Sequence, residues 1–331
     1  MSHVIRIAGS DVSFPCEAQE TVLDAALKAG IEIPYSCRKG VCGNCVARVS
    51  NGEFKRGVMS AEAVSEGQEL LCQCRPRSDL EIQVEKWQRV EPEQRKRLEG
   101  KVYRNTLVAS DVSLLQLRLP AGQRAKFRAG QYLEVILADG ARRSYSMANP
   151  PHESDGVQLH IRHVTGGRFS AVVGGLVIGD VLDIELPFGQ VELDLNQSKP
   201  LLCVCGGTGF APVKSLLDDL ARRKSSRPIA LVWGARDKAG LYLLQHVTKW
   251  ERSLPNFRFT AAIELEDEAQ LLNAFNGRVD AAVRSLAADP PFGEVYCCGS
   301  PAMVSAVKVA CSEALGIGTS QFHADVFVSG Q

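Results

Sequence analysis

Three cysteines spaced C-x4-C-x2-C carry the plainest chemistry in this sequence: Cys37, Cys42 and Cys45, within Pro34-Tyr-Ser-Cys-Arg-Lys-Gly-Val-Cys-Gly-Asn-Cys45. That is the plant-type ligand spacing of a [2Fe–2S] cluster, in which one tight loop supplies three thiolates and a later strand the fourth. The fourth has two contenders, Cys72 and Cys74. Gly40, Gly43 and Asn44 suit such a loop, because N–H groups aimed at anionic sulfur often need a positive φ. Zinc sites favour paired CxxC units separated by longer gaps, and only one C-x2-C is present. Zinc and unpaired buried thiols are therefore the weaker readings.

Further on, Arg142-Arg-Ser-Tyr-Ser146 would suit a flavin: a guanidinium pairs with pyrophosphate, a Tyr ring covers an isoalloxazine and a Ser hydroxyl reaches N5. Alone it reads equally well as a strand edge. Gly166-Gly-Arg-Phe-Ser170 opens a short helix whose N–H groups suit a diphosphate, and His160 and Arg162 share one strand face, as ligands or as structure. Gly206-Gly-Thr-Gly-Phe-Ala-Pro212 follows an apolar strand and opens a helix with an early Pro. It is not G-x-G-x-x-G, yet its glycines allow close backbone approach to a phosphate or nicotinamide. Cys297-Cys-Gly-Ser-Pro301 and Trp233-Gly-Ala-Arg236 have the same strand-end layout, so the three turns are expected at one edge of a sheet.

Three domains are expected to position these residues. Short strands around one helix at 21–29, stopped by Gly30, give an α+β β-grasp ferredoxin domain over 1–90. The charge-dense segment at 91–99 reads as a linker. Over 100–198 the period is two, as in Leu133, Val135 and Leu137, which indicates an antiparallel β-barrel. From 199 to 331 apolar strands alternate with helices, the first helix at 212–224, which indicates an α/β parallel-sheet domain. Length fits this reading: 331 residues, 45% hydrophobic. Lys+Arg equals Asp+Glu at 38 each, which gives no overall charge for nucleic-acid or membrane binding. With no apolar leader, and with Cys203, Cys205, Cys297 and Cys311 inside apolar runs and Cys16 a core thiol, a cytoplasmic protein is expected rather than a disulfide scaffold.

The cluster loop, Arg-Ser-Tyr-Ser, Gly-Gly-Thr-Gly-Phe-Ala-Pro and Cys-Gly-Ser-Pro occur in this order along nearly the whole chain. Together they resemble the ferredoxin–NADP reductase superfamily with a fused [2Fe–2S] domain. Within it, the CDP-6-deoxy-Δ3,4-glucoseen reductases look most similar, and the reductase components of bacterial oxygenases come second. The resemblance implies a [2Fe–2S] cluster on Cys37, Cys42, Cys45 and Cys72, since an apolar pair, Cys, three residues and Pro fit Cys72 and not Cys74. It implies FAD held by Arg143, Ser144, Tyr145 and Ser146, with His160, Arg162, Gly167, Phe169 and Ser170 nearby. It implies a nicotinamide nucleotide, NADH with NADPH as the alternative, at Gly207, Thr208, Gly209, Pro212, Arg236, Cys298 and Gly299. Ser146, Cys298, Asp325 and Phe327 are then expected at the reacting centre, although Asp325 stands where many relatives have Glu. An electron-accepting protein partner is implied, a pyridoxamine-phosphate iron–sulfur dehydrase or an oxygenase. Arg38 and Lys39 beside the cluster suggest an acidic docking patch on it. A [2Fe–2S] redox sensor is the reading from another class, and it expects degraded nucleotide motifs.

Overall fold

Thr21 starts the first helix: its hydroxyl accepts the N–H of Asp24 (3.2 Å), and Val22–Lys28 ends just before Gly30, φ +71°. The helix buries Val22, Leu23, Ala25 and Ala26 against a five-stranded sheet. In space the strands run Ser13–Glu17, Ser2–Ile7, Leu80–Gln83, Val46–Asn51, Glu69–Leu70. Ser2–Ile7 is parallel to Leu80–Gln83 and every other neighbouring pair is antiparallel. This is the expected β-grasp domain.

The computed structural model describes residues 2–57, 64, 66–89, 95–190, 193–194, 197–271, 273–288 and 291–327. It divides into two compact units, residues 1–94 with 189–191, and the remainder.

The second unit holds a barrel and a parallel sheet. Six antiparallel strands lie in the order Arg142–Ser146, Tyr132–Ile136, Val181–Phe188, Lys96–Ala109, Val112–Arg118, Gly156–Arg162. A bridge between Met147 and Leu159 joins the first to the last and closes the sheet. Leu115, Leu117, Leu133, Val135, Leu159 and Ile161 fill the interior, as their alternation requires. The expected linker is shorter than its charge density suggests. Residues 91–94 lie outside the described residues, and residues 96–99 already form strand, paired with residues 183–186. Charge there is compatible with a strand because the charged side chains stay in solvent: Lys96, Arg97 and Glu99 are exposed, Arg97 pairing with Asp183 (2.6 Å), while Leu98 packs on the barrel core.

The parallel sheet has the order Phe275–Asn276, Phe257–Ile263, Ile229–Ala235, Leu201–Gly206, Glu294–Gly299, Phe322–Val326. Its first helix, Phe210–Arg222, begins two residues earlier than expected, because Gly207–Gly209 form a 3-10 turn that feeds directly into it. Pro212 therefore sits inside the first turn, where its missing N–H costs nothing. Among the described residues, no helix is long and apolar enough to cross a membrane.

At the edge opposite the strands' carboxyl ends, a buried cation locks the crossover from barrel to sheet. Arg227, 4% exposed, donates to Lys199 O (2.7 Å), Asp194 O (3.0 Å) and Glu294 Oε2 (2.9 Å). Burial alone would push the Glu294 carboxyl up; the His323 and Arg227 contacts outweigh it and hold it at about 2. A depressed carboxylate contributes stability above its ordinary value near 4.5, and loses it as pH falls toward 2. Arg227→Met is expected to destabilise this unit by about 3 kcal/mol at neutral pH, because it strands a buried charge. Urea unfolding followed by the fluorescence of the buried Trp233 and Trp250 checks it. The deficit should shrink as pH drops from 4.5 toward 2.

Candidate redox centre

In the first unit the loop after Ser36 turns back on itself. Arg38, Gly40 and Gly43 take positive φ (+54°, +74°, +79°); the glycines do so freely, whereas Arg38 is held there. Its guanidinium pairs with Asp24 on the first helix, and its carbonyl accepts from Gln73 Nε2 (3.3 Å). The turned backbone points donors at sulfur: the N–H groups of Lys39 and Cys42 reach Cys37 Sγ at 3.3 and 3.4 Å, and that of Gly40 bonds Cys72.

The four thiols stand as two contacting pairs, Cys37 with Cys42 and Cys45 with Cys72. The side-chain bond from Cys42, helped by backbone N–H groups, lowers Cys37 to about 5, while Cys42 is raised. The Cys45 bond likewise holds Cys72 below the usual thiol range. Two pairs match a two-iron cluster, whose irons take two ligands each, better than a single ion. Among the described residues no group of three His, Cys, Asp or Glu converges as a mononuclear site would need. Cys74 lies in the core near Cys16, and burial pushes it up to about 12. Arg38 is spent on Asp24, so the docking patch expected of Arg38 and Lys39 retains only the exposed Lys39.

In the second unit the carboxyl ends of the parallel strands bring the remaining residues together. Register sets Cys205 beside Cys298 and Cys298 beside Asp325. Ser146, at the end of its barrel strand, donates to Asp325 Oδ2 (3.3 Å). The expected Ser146, Cys298 and Asp325 are thus neighbours. Cys298 is fully buried, and burial, then the Asp325 carboxylate, raises its thiol well above the ordinary range. It is no nucleophile in this state. Phe327 is anchored at the same edge, its N–H on Gly299 O (2.8 Å). Gly207, φ +55°, and Thr208 are half-buried at the start of the 3-10 turn, while Gly209 and Pro212 are buried.

The two arginines of Arg142-Arg-Ser-Tyr-Ser146 differ. Arg142 is drawn to Glu134 (3.0 Å) on the neighbouring strand and to Glu185 on the strand beyond it, a structural cross-tie. Arg143 faces the opposite way with Tyr145, which packs on Phe169 (centroids 5.4 Å apart) and is raised to about 12 by burial. Ser144 is exposed. At Gly167, Phe169 is core and the Ser170 hydroxyl is used within the loop, on Val164 O (3.0 Å) and Gly167 O (3.2 Å). Only backbone N–H groups remain there for a phosphate. His160 turns inward: Nδ1 meets Tyr242 Oη (3.1 Å), and burial lowers the imidazole to about 3, so it is neutral. Arg162 pairs with Asp111 (3.4 Å), and a Cβ on Gly207 would lie 3.1 Å from its guanidinium. It therefore faces the nucleotide turn. Arg236 is exposed at the next strand end. Sequence reasoning missed Asp111, which lies in no motif, and missed that Tyr242 is the partner of His160. A cation, a hydroxyl and N–H-rich turns converging at a strand edge fit an anionic dinucleotide.

The chain matches three family profiles in order: "2Fe-2S iron-sulfur cluster binding domain" over residues 5–77, "Oxidoreductase FAD-binding domain" over 99–193 and "Oxidoreductase NAD-binding domain" over 203–309. It is 54% identical to reductase component 2 of terephthalate 1,2-dioxygenase from Comamonas sp, covering 100% of this chain and 98% of that protein. It is 32% identical to the CDP-6-deoxy-L-threo-D-glycero-4-hexulose-3-dehydrase reductase of Yersinia pseudotuberculosis, over 99% of each. A crystal structure of an Amycolatopsis cytochrome P450 reductase superposes with a TM-score of 0.77 at 30% identity, over 98% of each chain. The expected order of relatives is thereby reversed. Full-length identity separates the two groups, 54% against 32%.

Cys72→Ser is expected to abolish the iron–sulfur absorbance of the purified protein, and Cys74→Ala to leave it, with about two irons per chain. Iron and acid-labile sulfide assays check both.

Proposed function

The chain belongs to the family of [2Fe–2S] flavoprotein reductases that take electrons from a nicotinamide nucleotide, and from that premise we propose that it is the reductase component of a bacterial aromatic-ring dioxygenase. The observation that carries this is identity over the full length: 54% to a terephthalate 1,2-dioxygenase reductase component, against 32% to a sugar-dehydrase reductase. The sensor reading expected degraded nucleotide motifs; both nucleotide domains match their families instead.

When bound, FAD accepts a two-electron hydride and releases single electrons to the [2Fe–2S] cluster, chemistry the side chains alone lack. In our reading Cys37, Cys42, Cys45 and Cys72 hold the iron, and the N–H groups of Lys39, Gly40 and Cys42 stabilise the charge on sulfur. Arg143 and the N–H groups after Gly166 neutralise the flavin's diphosphate, and Tyr145 flanks its ring. Ser146 presents its hydroxyl to the flavin edge, oriented by Asp325. Gly207 and Thr208 receive the nicotinamide nucleotide, with Arg162 as the nearby cation. The buried Cys298 and the half-buried Phe327 flank that edge. NADH is the proposed donor: the Asp237 carboxylate, which caps the Lys238–Gly240 turn by accepting from Gly240 N (3.0 Å), follows the second strand and would repel a 2′-phosphate.

Reconstitution tests this. With NADH, oxygen, terephthalate and the oxygenase component of a terephthalate 1,2-dioxygenase, product is expected in step with NADH consumed. Reduced protein that passes no electrons to the oxygenase, but does reduce a pyridoxamine-phosphate dehydrase, would overturn the proposed partner. In the same preparation Arg143→Ala is expected to lose FAD and Arg142→Ala to keep it, by absorbance after gel filtration.

A further inference from the structure

The helix Phe210–Arg222 buries the polar side chains of Lys214, Ser215, Asp218 and Asp219, and the first two reach the barrel. Lys214 is 5% exposed, and its ammonium donates to Ala148 O (3.1 Å) and to Asp218 Oδ2 (3.0 Å). Ser215, wholly buried, donates to Asn149 O (2.7 Å). Both acceptors belong to the barrel, two and three residues beyond Ser146. Neither end can give. Asn149 Nδ2 donates to Glu153 O (2.7 Å) and Gly156 O (3.2 Å), and its Oδ1 accepts from Gln158 N (2.8 Å). Asp218 is fixed by Trp250 Nε1 (3.0 Å), whose ring lies 5.9 Å from that of Phe210.

A buried ammonium is a costly way to fill this seam, since a Met of similar length would pack with no charge to desolvate. What the ammonium adds is direction. It holds a particular backbone carbonyl at hydrogen-bond distance, from a position five residues beyond Gly209 on the helix that the Gly207–Gly209 turn feeds. Going from Ser146 to Thr208, the path is two residues of chain beyond the strand, the Lys214 hydrogen bond and side chain, and six residues of helix and 3-10 turn.

We propose that Lys214, assisted by Ser215, is a positioning residue that fixes the nicotinamide-binding turn against the flavin-binding strand, and so sets the distance over which the hydride passes. This rests on the placement of FAD and NADH given above. Donor and acceptor must approach to about 3–3.5 Å, and an error of about 1 Å can cost about a hundredfold in rate. Loss of the Lys214 anchor should therefore slow transfer without weakening the binding of either partner.

The test compares the intact protein with Lys214→Met/Asp218→Asn, which removes both charges and keeps an acceptor for Trp250, and with Ser215→Ala. Four quantities are measured: thermal midpoint, FAD content, calorimetric affinity for ADP-ribose, and the stopped-flow rate of flavin bleaching by NADH. The double variant should keep the first three and slow the fourth by about tenfold to a hundredfold. It should also lose the long-wavelength absorbance of stacked nicotinamide and flavin. Ser215→Ala should slow the same step by a smaller factor. Wild-type rates and absorbance in both variants would overturn the proposal and leave the ion pair a packing feature. Intact protein that holds no FAD, or is not bleached by NADH, would instead overturn the placement on which the proposal rests.

Discussion

Gly209 lies so close to the neighbouring strand that any side chain would collide with it: an added Cβ would stand 2.1 Å from the carbonyl oxygen of Cys298. Much of the second unit depends on that approach. It lets the 3-10 turn lie flat across the carboxyl ends of two strands, so the helix begins at Phe210 and aims Lys214 and Ser215 at the barrel. It also sets the turn beside the row of Cys205, Cys298 and Asp325, whose last member meets Ser146 from the barrel. Gly206 and Gly299 serve the same packing, since a Cβ on either would press Met303 Sδ at 2.5 or 2.7 Å. The glycines there are as much a matter of strand-to-turn contact as of room for phosphate.

The two buried ion pairs of this unit share a design. Arg227 with Glu294 fastens the crossover at one edge of the parallel sheet, and Lys214 with Asp218 fastens the barrel to the helix that starts at the other. In each, the cation also donates to backbone carbonyls of the segment it secures. Isolated buried charges would be ruinous, but multiply bonded ones exchange stability for a defined geometry. Between them the aromatic stack of Phe210 on Trp233, centroids 3.8 Å apart, fills the space without polar demands.

Much of this was legible in the sequence because it is local. Period-two alternation marks the barrel, βα alternation marks the parallel sheet, and the Cys spacing marks the loop, since each depends on near neighbours in the chain. Contacts between distant segments left no such trace. Nothing around Asp24 announces that it holds Arg38, and nothing around Asp111 announces Arg162. Short motifs are also silent on where a side chain is tied: Phe169 lies in the core, the Ser170 hydroxyl bonds within its own loop and His160 meets Tyr242. Charge density misled at residues 96–99, where pairing with residues 183–186, distant in the chain, and not composition, decides between strand and linker. Motif likeness ranked the relatives in the other order as well, because a few short runs weigh little against identity along the whole chain.

All eleven cysteines are free thiols, and nine are buried; only Cys37 and Cys42 are within partial reach of solvent. Oxidants and alkylating agents act on sulfur they can touch. Damage to this chain is therefore channelled away from its thiol-rich parallel sheet and into one short loop. A thiol reagent added to the intact fold thus reports on that loop and leaves the parallel sheet chemically whole.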